Sequence, residues 1–234
     1  MKSKSILWAV LLLAALVVLC DCGEKKPVLH IYTWSDYIDA GLVEQFERDN
    51  QCRVVIDTYD SNEAMYAKLK AGATGYDLLF PSTYMVKIMH AQGMLQQLDH
   101  AQIPNLANID PAYMTLASDP TMSYTVPYTV SITCLGYLRS KVPDFEPTWA
   151  MFDRTEFKGR MTLLNDYRET IGVALKFLGY SLNTVNDEEL AQARDVVLRW
   201  KKNIAKFDNE QYKNGLASGE FQLTKGNKRD IIIV

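Results

Sequence analysis

Positive charge is not in excess in this chain. Lys and Arg total 25 against 28 Asp and Glu, a formal net charge of −3. That argues against a nucleic-acid partner, because a phosphate backbone is held by a basic face. Histidine and cysteine are scarce. His30, His90 and His100 are scattered, and none of them shares metal-ligand spacing with Cys52 or Cys134. No Ser-His-Asp order, nucleophile elbow, phosphate loop or dinucleotide fingerprint is visible. Low-complexity tracts and internal repeats are also missing. The expectation is therefore no catalytic residue, no metal and no cofactor. What is present is ordinary globular material: 234 residues, 48% of them apolar, enough for one large or two small domains with a sizeable core.

The N-terminus stands apart. Lys2 and Lys4 precede an uncharged apolar run from Ile6 to Leu19. The run is too short to span a bilayer comfortably and reads as the core of an export signal, set aside from fold reasoning. Cys20-Asp21-Cys22-Gly23 follows. A Cys just after such a core resembles a bacterial lipoprotein cleavage site, with Leu19 departing from the small residue normally found before it. Cys20 is the expected lipidation position, and residues 1–22 the expected signal segment. An exported protein can oxidise its thiols. Cys52 and Cys134 are far apart and each lies beside apolar residues, so the expectation is two buried thiols.

Beyond a charged linker, Glu24 to Pro27, four apolar segments each run into a knot of aromatic, hydroxyl and carboxylate residues. Val28 to Thr33 leads into Trp34-Ser35-Asp36-Tyr37, and Arg53 to Thr58 into Tyr59-Asp60-Ser61-Asn62. Asp77 to Pro81 leads into Ser82-Thr83-Tyr84, and Arg160 to Asn165 into Asp166-Tyr167-Arg168-Glu169. Short apolar runs between helical patterns read as parallel strands. Helical stripes follow them: Leu42, Val43 and Phe46; Met65 and Leu69 ahead of Gly72; Met85, Ile88 and Met89 ahead of Gly93; Ile171, Ala174, Leu175 and Leu178 ahead of Gly179. Asn186 with Glu189 has capping-box spacing, and Asp208 to Leu216 reads as a further short helix. Alternating strand and helix predicts an α/β fold with right-handed crossovers. The reading is two α/β lobes, residues 23–134 and 135–234, joined by an extended crossover near Tyr124 to Leu138. The chain stops on Ile231-Ile232-Ile233-Val234. A core strand with nothing after it leads to the expectation of an incomplete second lobe.

In open α/β sheets ligands bind beyond the carboxyl ends of the strands, which is where the knots fall. Two readings compete there. Asp60 or Ser61, Ser82 or Thr83, and Asp166 each precede a helical stripe and can cap it; Asp166 with Glu169 even has capping-box spacing. Caps do not need rings, however, and Trp34, Tyr37, Tyr59, Tyr84 and Tyr167 all sit in the knots. Ring faces beside carboxylates suit a cation with an apolar body. Each face contributes about 0.5–2 kcal/mol to a desolvated cation, and each charge-assisted hydrogen bond roughly 1.5–3 kcal/mol.

These segments, with Val126-Pro127-Tyr128, Phe157-Lys158-Gly159 and Leu178-Gly179-Tyr180, resemble the bacterial spermidine/putrescine-binding proteins over nearly the whole chain after the signal segment. The resemblance implies a two-lobed periplasmic-binding-protein fold of the class II type. It implies a receptor in the periplasm or cell envelope that hands a polyamine to the permease subunits of an ABC transporter. Carried over position by position, it implies that Trp34, Tyr37, Ser82, Tyr84, Asp166 and Glu169 line the ligand cleft, with Ser35 and Asp36 near one amine. Gly226 and Asp230 fit a family Gly…Asp pattern, so Asp230 is included as a ligand residue, although Asn227 stands where the family usually has a Trp. Lys228 and Arg229 nearby would repel a polycation. Members of the family continue beyond this length. Two alternatives stay open: a truncated or diverged surface lipoprotein without transport activity, and a carboxylate-dependent hydrolase using paired acids.

Overall fold

The structure is a computed structural model describing residues 26–114 and 118–227. The signal segment, Cys20, Asp230 and the Ile231–Val234 run lie outside the described residues. Those described form two compact units, one of residues 26–58 and Thr74–Phe80, the other of Tyr59–Ala73 and residues 81–227.

The first unit is built on strand β1 (Val28–Trp34). It buries three consecutive residues, Ile31, Tyr32 and Thr33. Helix α1 (Ala40–Asn50) is started by Asp39, whose carboxylate accepts the Leu42 N–H at 3.1 Å, and is ended by Gln51 in the left-handed region at φ 50°. The expected stripe is on this helix, yet α1 buries none of its residues, and Leu42 and Phe46 stay exposed. Strands β2 (Arg53–Tyr59) and β3 (Leu78–Leu79) flank β1 in the order β2-β1-β3. β3 runs parallel to β1, with Ile31 opposite Leu78 and Tyr32 opposite Leu79. Asp77 locks that register by accepting the His30 N–H at 2.8 Å while its own N–H donates to the His30 carbonyl at 2.9 Å. Tyr76 stacks on Tyr32 at 4.6 Å between centroids.

The second unit opens with helices α2 (Asn62–Lys70) and α3 (Thr83–Ala91). Ser61 caps α2 by accepting the Ala64 N–H at 3.2 Å. After 3₁₀ turns and the short helix α4 (Pro111–Met114) come β4 (Thr133–Tyr137), β5 (Met161–Leu163), α5 (Tyr167–Leu178), α6 (Asp187–Trp200), β6 (Lys206–Phe207), α7 (Tyr212–Ser218) and β7 (Leu223–Asn227). The sheet order is β4-β7-β5-β6. β5 is parallel to both β6 and β7, whereas β4 is antiparallel to β7. The sheet is thus mixed, with β7 the last described strand in sequence and yet internal.

Its core is aromatic. Trp200, Phe152, Met161, Leu163, Ala174, Ala193 and Leu223 are all fully buried. Phe152 and Phe177 lie 5.5 Å and 5.4 Å from the Trp200 ring, at 44° and 61°, the tilted and edge-on geometries aromatic pairs favour. α5 ends on Gly179 at φ 84°, a left-handed cap that glycine adopts without a Cβ penalty.

Several expectations are adjusted. Asn186 caps α6 through the Glu188 and Glu189 N–H groups, but its own N–H goes to Thr184 Oγ1, so the box does not close reciprocally. The helix expected from Asp208 begins at Tyr212, because Asp208 is used in a turn that accepts the Glu210 and Gln211 N–H groups. The extended stretch from Tyr124 becomes strand only at Thr133, where pairing with β7 starts. Cys52 and Cys134 are not joined in a disulfide and are only half-buried.

Gly226 offers a test of the β7 packing. Its φ is not left-handed, so any effect of a side chain there is steric. A Cβ would collide with the ring of Tyr212, which is fully buried and whose hydroxyl accepts the Asn227 N–H at 3.0 Å. Gly226→Ala is expected to destabilise the chain by about 1–3 kcal/mol, read as a lowered urea midpoint with an unchanged slope.

Candidate functional site

The first unit carries one predicted knot at the end of β1. Trp34 is held by its indole N–H donating to the Phe80 carbonyl at 2.9 Å, and its ring lies 6.2 Å from that of Tyr37 at 34°. Between them the chain turns at Ser35 and Asp36. Asp36 is exposed and left-handed at φ 59°, a conformation that Asp tolerates better than most residues. Trp34, Ser35, Asp36 and Tyr37 are therefore presented together on one turn.

The second unit collects the other predicted residues around the start of α5. Ser82 occupies the cap position of α3 but makes no cap bond. Its backbone N–H donates to Asn62 Oδ1 at 2.9 Å and its hydroxyl accepts from Asn62 Nδ2 at 3.1 Å. Tyr84, in the first turn of α3, donates its hydroxyl to Glu63 Oε1 at 2.9 Å. Burial, and after it Glu63, holds the Tyr84 hydroxyl well above the ordinary tyrosine range. The second oxygen of Glu63 is buried without a hydrogen-bond partner. The Arg168 guanidinium lies 4.7 Å over the Tyr84 ring and is anchored to Asn183 Oδ1 at 2.7 Å.

Asp166 takes up the cap role that its position allowed. It caps α5, accepting the Glu169 N–H at 2.8 Å. It is also the carboxyl whose proton affinity the site raises. Burial is the main cause; the cap bond opposes it, the charges of Glu169 and Glu63 reinforce it, and Lys225 opposes it. Glu169 does not complete a capping box. Its Oε2 accepts from the Lys225 ammonium at 2.5 Å. Lys225 lies in the middle of β7, opposite Leu135 of β4, and is 0% exposed. Burial lowers its pKa, against the pull of Glu169 and then Asp166.

Two expected rings are elsewhere. Tyr59 is packed into the core, and Tyr167, first in α5, is 77% exposed. Glu63 and Lys225 were not among the expected site residues. Glu63 looks like ordinary first-turn acid favouring the helix dipole. Lys225 lies in the buried strand Leu223–Asn227, where nothing in the local pattern names a partner 56 positions away. A shallow polar cleft beyond the carboxyl ends of β5 and β6 adds Asp60, Asn165, Asp208, Asn209 and Glu210 to this side of the sheet. Asn209 ties it together, accepting the Asn165 N–H at 2.8 Å and donating to the Asp60 and Asn165 carbonyls. Among the described residues, no group of His, Cys, Asp and Glu is arranged to hold a metal.

The raised Asp166 carboxyl has a defined pH signature. Its unfolded value lies near 3.8 and its folded value is higher. As pH rises above the unfolded value, the unfolded chain loses this proton first, so this group subtracts stability until its folded pKa is passed. Asp166→Asn keeps a cap-competent side chain and removes the charge. Its melting temperature is expected to match the parent at low pH and to exceed it progressively from about pH 4 towards neutrality. Parallel thermal melts across that range check this.

Comparison with known proteins identifies the family. Residues 41–233 match the family model described as "Bacterial extracellular solute-binding protein". The spermidine/putrescine-binding periplasmic protein of Escherichia coli (strain K12) is 36% identical over 203 residues, covering 86% of this chain and 58% of the relative. The putrescine/cadaverine-binding protein of Pseudomonas aeruginosa is 31% identical over 228 residues, covering 94% of this chain and 64% of the relative. Among solved structures, the TpPotD lipoprotein of Treponema pallidum superposes with a TM-score of 0.81 at 39% identity, over 88% of this chain and 65% of that one. A "putative spermidine/putrescine ABC transporter" protein of Listeria monocytogenes gives 0.83 at 32%, over 88% and 64%. The chain thus spans about three fifths of the length of these relatives. Its fold is that of the periplasmic binding proteins, and the chain belongs to the bacterial extracellular solute-binding protein family.

Proposed function

We propose that this chain is the ligand-capturing part of an extracytoplasmic receptor for a linear polyamine of the putrescine and spermidine class, delivering it to the permease subunits of an ABC transporter. One observation carries the reading. Ser82, Tyr84, Asp166 and Glu169, far apart in sequence, meet with Glu63 at the start of α5 in a cluster richer in carboxylates than in cations. A half-buried carboxylate with a raised pKa is held at a cost to stability, and an ammonium ligand offsets that cost. The names of the relatives above support the same ligand class. The proposed contacts are Trp34, Ser35, Asp36 and Tyr37 in the first unit, Ser82, Tyr84, Asp166 and Glu169 in the second, and Asp230. The lobes of the functional protein are proposed as 23–134 and 135–234, its location as the periplasm or cell envelope, and Cys20 as a lipid anchor. The role is binding without turnover, so ligand is retained in stoichiometric amount and no product forms.

Titration calorimetry of the protein completed over the length its relatives span, with putrescine, spermidine, glutamate and maltose, tests this directly. Heat of binding is expected for the two polyamines alone. Uptake of the anion or the sugar instead would overturn the reading. Asp166→Asn sharpens the test, because a residue serving only as a cap would leave affinity untouched. Loss of a charge-assisted bond of roughly 1.5–3 kcal/mol is expected to weaken polyamine binding about ten- to a hundredfold or more, in a protein no less stable than the parent.

A further inference from the structure

Lys225 does not fit a site built for cations. Its ammonium is fully buried in the internal strand of the second unit's sheet and is bonded to Glu169. Among the described residues, Glu169, half-buried in the first turn of α5, is the carboxylate bonded to that ammonium. The neighbouring acids are otherwise engaged: Asp166 accepts a backbone N–H, and one oxygen of Glu63 holds the Tyr84 hydroxyl while the other has no partner. The cluster thus contains three carboxylates and one internal ammonium. The ammonium cannot swing away as a surface lysine would, because both its stem and its head are enclosed by the sheet.

We infer that Lys225 is a specificity-determining residue: it occupies Glu169 as a built-in ammonium and lowers by one the number of ligand ammonium groups this part of the protein accepts, favouring a diamine over a triamine. The inference rests on the polyamine reading above and goes beyond it by naming what sets the ligand's amine count. The argument is one of difference. Arg168, stacked on Tyr84 and tied to Asn183, contributes its charge whether or not Lys225 is present. Changing Lys225 alone alters the cluster by one unit charge beside a carboxylate that is still open to solvent on one side. Selectivity between ligands differing by one ammonium is where such a change appears, since a like charge placed beside a binding group costs affinity for the more highly charged ligand.

The experiment is calorimetry of putrescine and spermidine against the chain, Lys225→Met, and the pair Lys225→Met/Glu169→Gln. In Lys225→Met the ratio of spermidine to putrescine affinity is expected to rise about tenfold or more. The double variant, which removes both charges, is expected to return that ratio to the parent value. It also guards against misfolding, because a buried ion pair replaced as a whole is tolerated far better than one broken by halves. If Lys225→Met does not fold, the double variant alone decides. A spermidine-to-putrescine affinity ratio at the parent value supports the inference, because removing the pair together leaves the net charge facing the ligand unchanged. A ratio lowered tenfold or more overturns it, because Glu169 then serves the additional ammonium despite Lys225. A ratio unchanged in a folded Lys225→Met also overturns it, while leaving the polyamine reading intact. No binding of either polyamine by any of the proteins overturns both.

Discussion

A single ammonium withdrawn from water organises the second unit. Lys225 is enclosed on an internal strand, and a buried charge without a partner is one of the most expensive things a fold can contain. Glu169 answers it from another element, so the sheet and the first turn of α5 must keep their relative placement for the pair to survive. That placement in turn fixes Asp166, three residues earlier, which caps the same helix. Strand, helix start and acid cluster therefore form one electrostatic object. Loss of either member of the pair is felt in all three.

Around that object the rest of the unit supplies rigidity. β7 lies between the antiparallel β4 and the parallel β5, and its residues Leu223 to Gly226 are all buried. Tyr212 closes over Gly226 and receives the Asn227 N–H. On the other side, Trp200 with Phe152 and Phe177 holds α5 and α6 against the sheet through ring contacts. Asn203 links the turn after α6 to the Phe152 carbonyl and accepts the Gly159 N–H. Cores packed at this density transmit a displacement instead of absorbing it, which is why a methyl group at position 226 has nowhere to go.

The acid cluster stands where capping and the proposed binding would draw on the same residues. A helix N-terminus favours negative charge through its free N–H groups and its dipole, so a strand-to-helix junction collects carboxylates for local reasons. The same junctions lie at the carboxyl ends of strands, where ligands bind. Asp166 meets the first demand as the cap of α5, and the second is the role proposed for it. Its raised pKa records the price of placing it among Glu63 and Glu169 in a half-buried setting. In the first unit the corresponding turn keeps Asp36 exposed in a left-handed conformation beside Trp34 and Tyr37, a different local solution to presenting polar and ring groups together.

The alternation of apolar runs with 3.6-period stripes was sufficient for β1, β2, β5 and the helices α1, α2, α3, α5 and α6, because strand and helix periodicity are local properties of the chain. The caps Ser61, Asp166 and Asn186 were legible for the same reason: a cap bonds backbone two or three residues away. Ser82 was not, since its partner Asn62 is 20 positions distant, and Tyr59 and Tyr167 were alike in sequence but parted between core and solvent. Trp34, Tyr37 and Glu169 became candidates through the rings and carboxylates gathered at strand ends, with resemblance to a family added to that, and capping alone asks for none of the rings. Nothing local announced that Lys225 would be buried, that β7 would enter the sheet between β4 and β5, or that Glu169 would bond an ammonium instead of a helix N–H. Those outcomes depend on which residues meet across long stretches of chain. The sequence alone determined where most of the strands and helices lie and how several helices are capped; tertiary structure decided which faces are buried and how charges pair, because only a formed sheet removes Lys225 from water and leaves Glu169 as the carboxylate within reach.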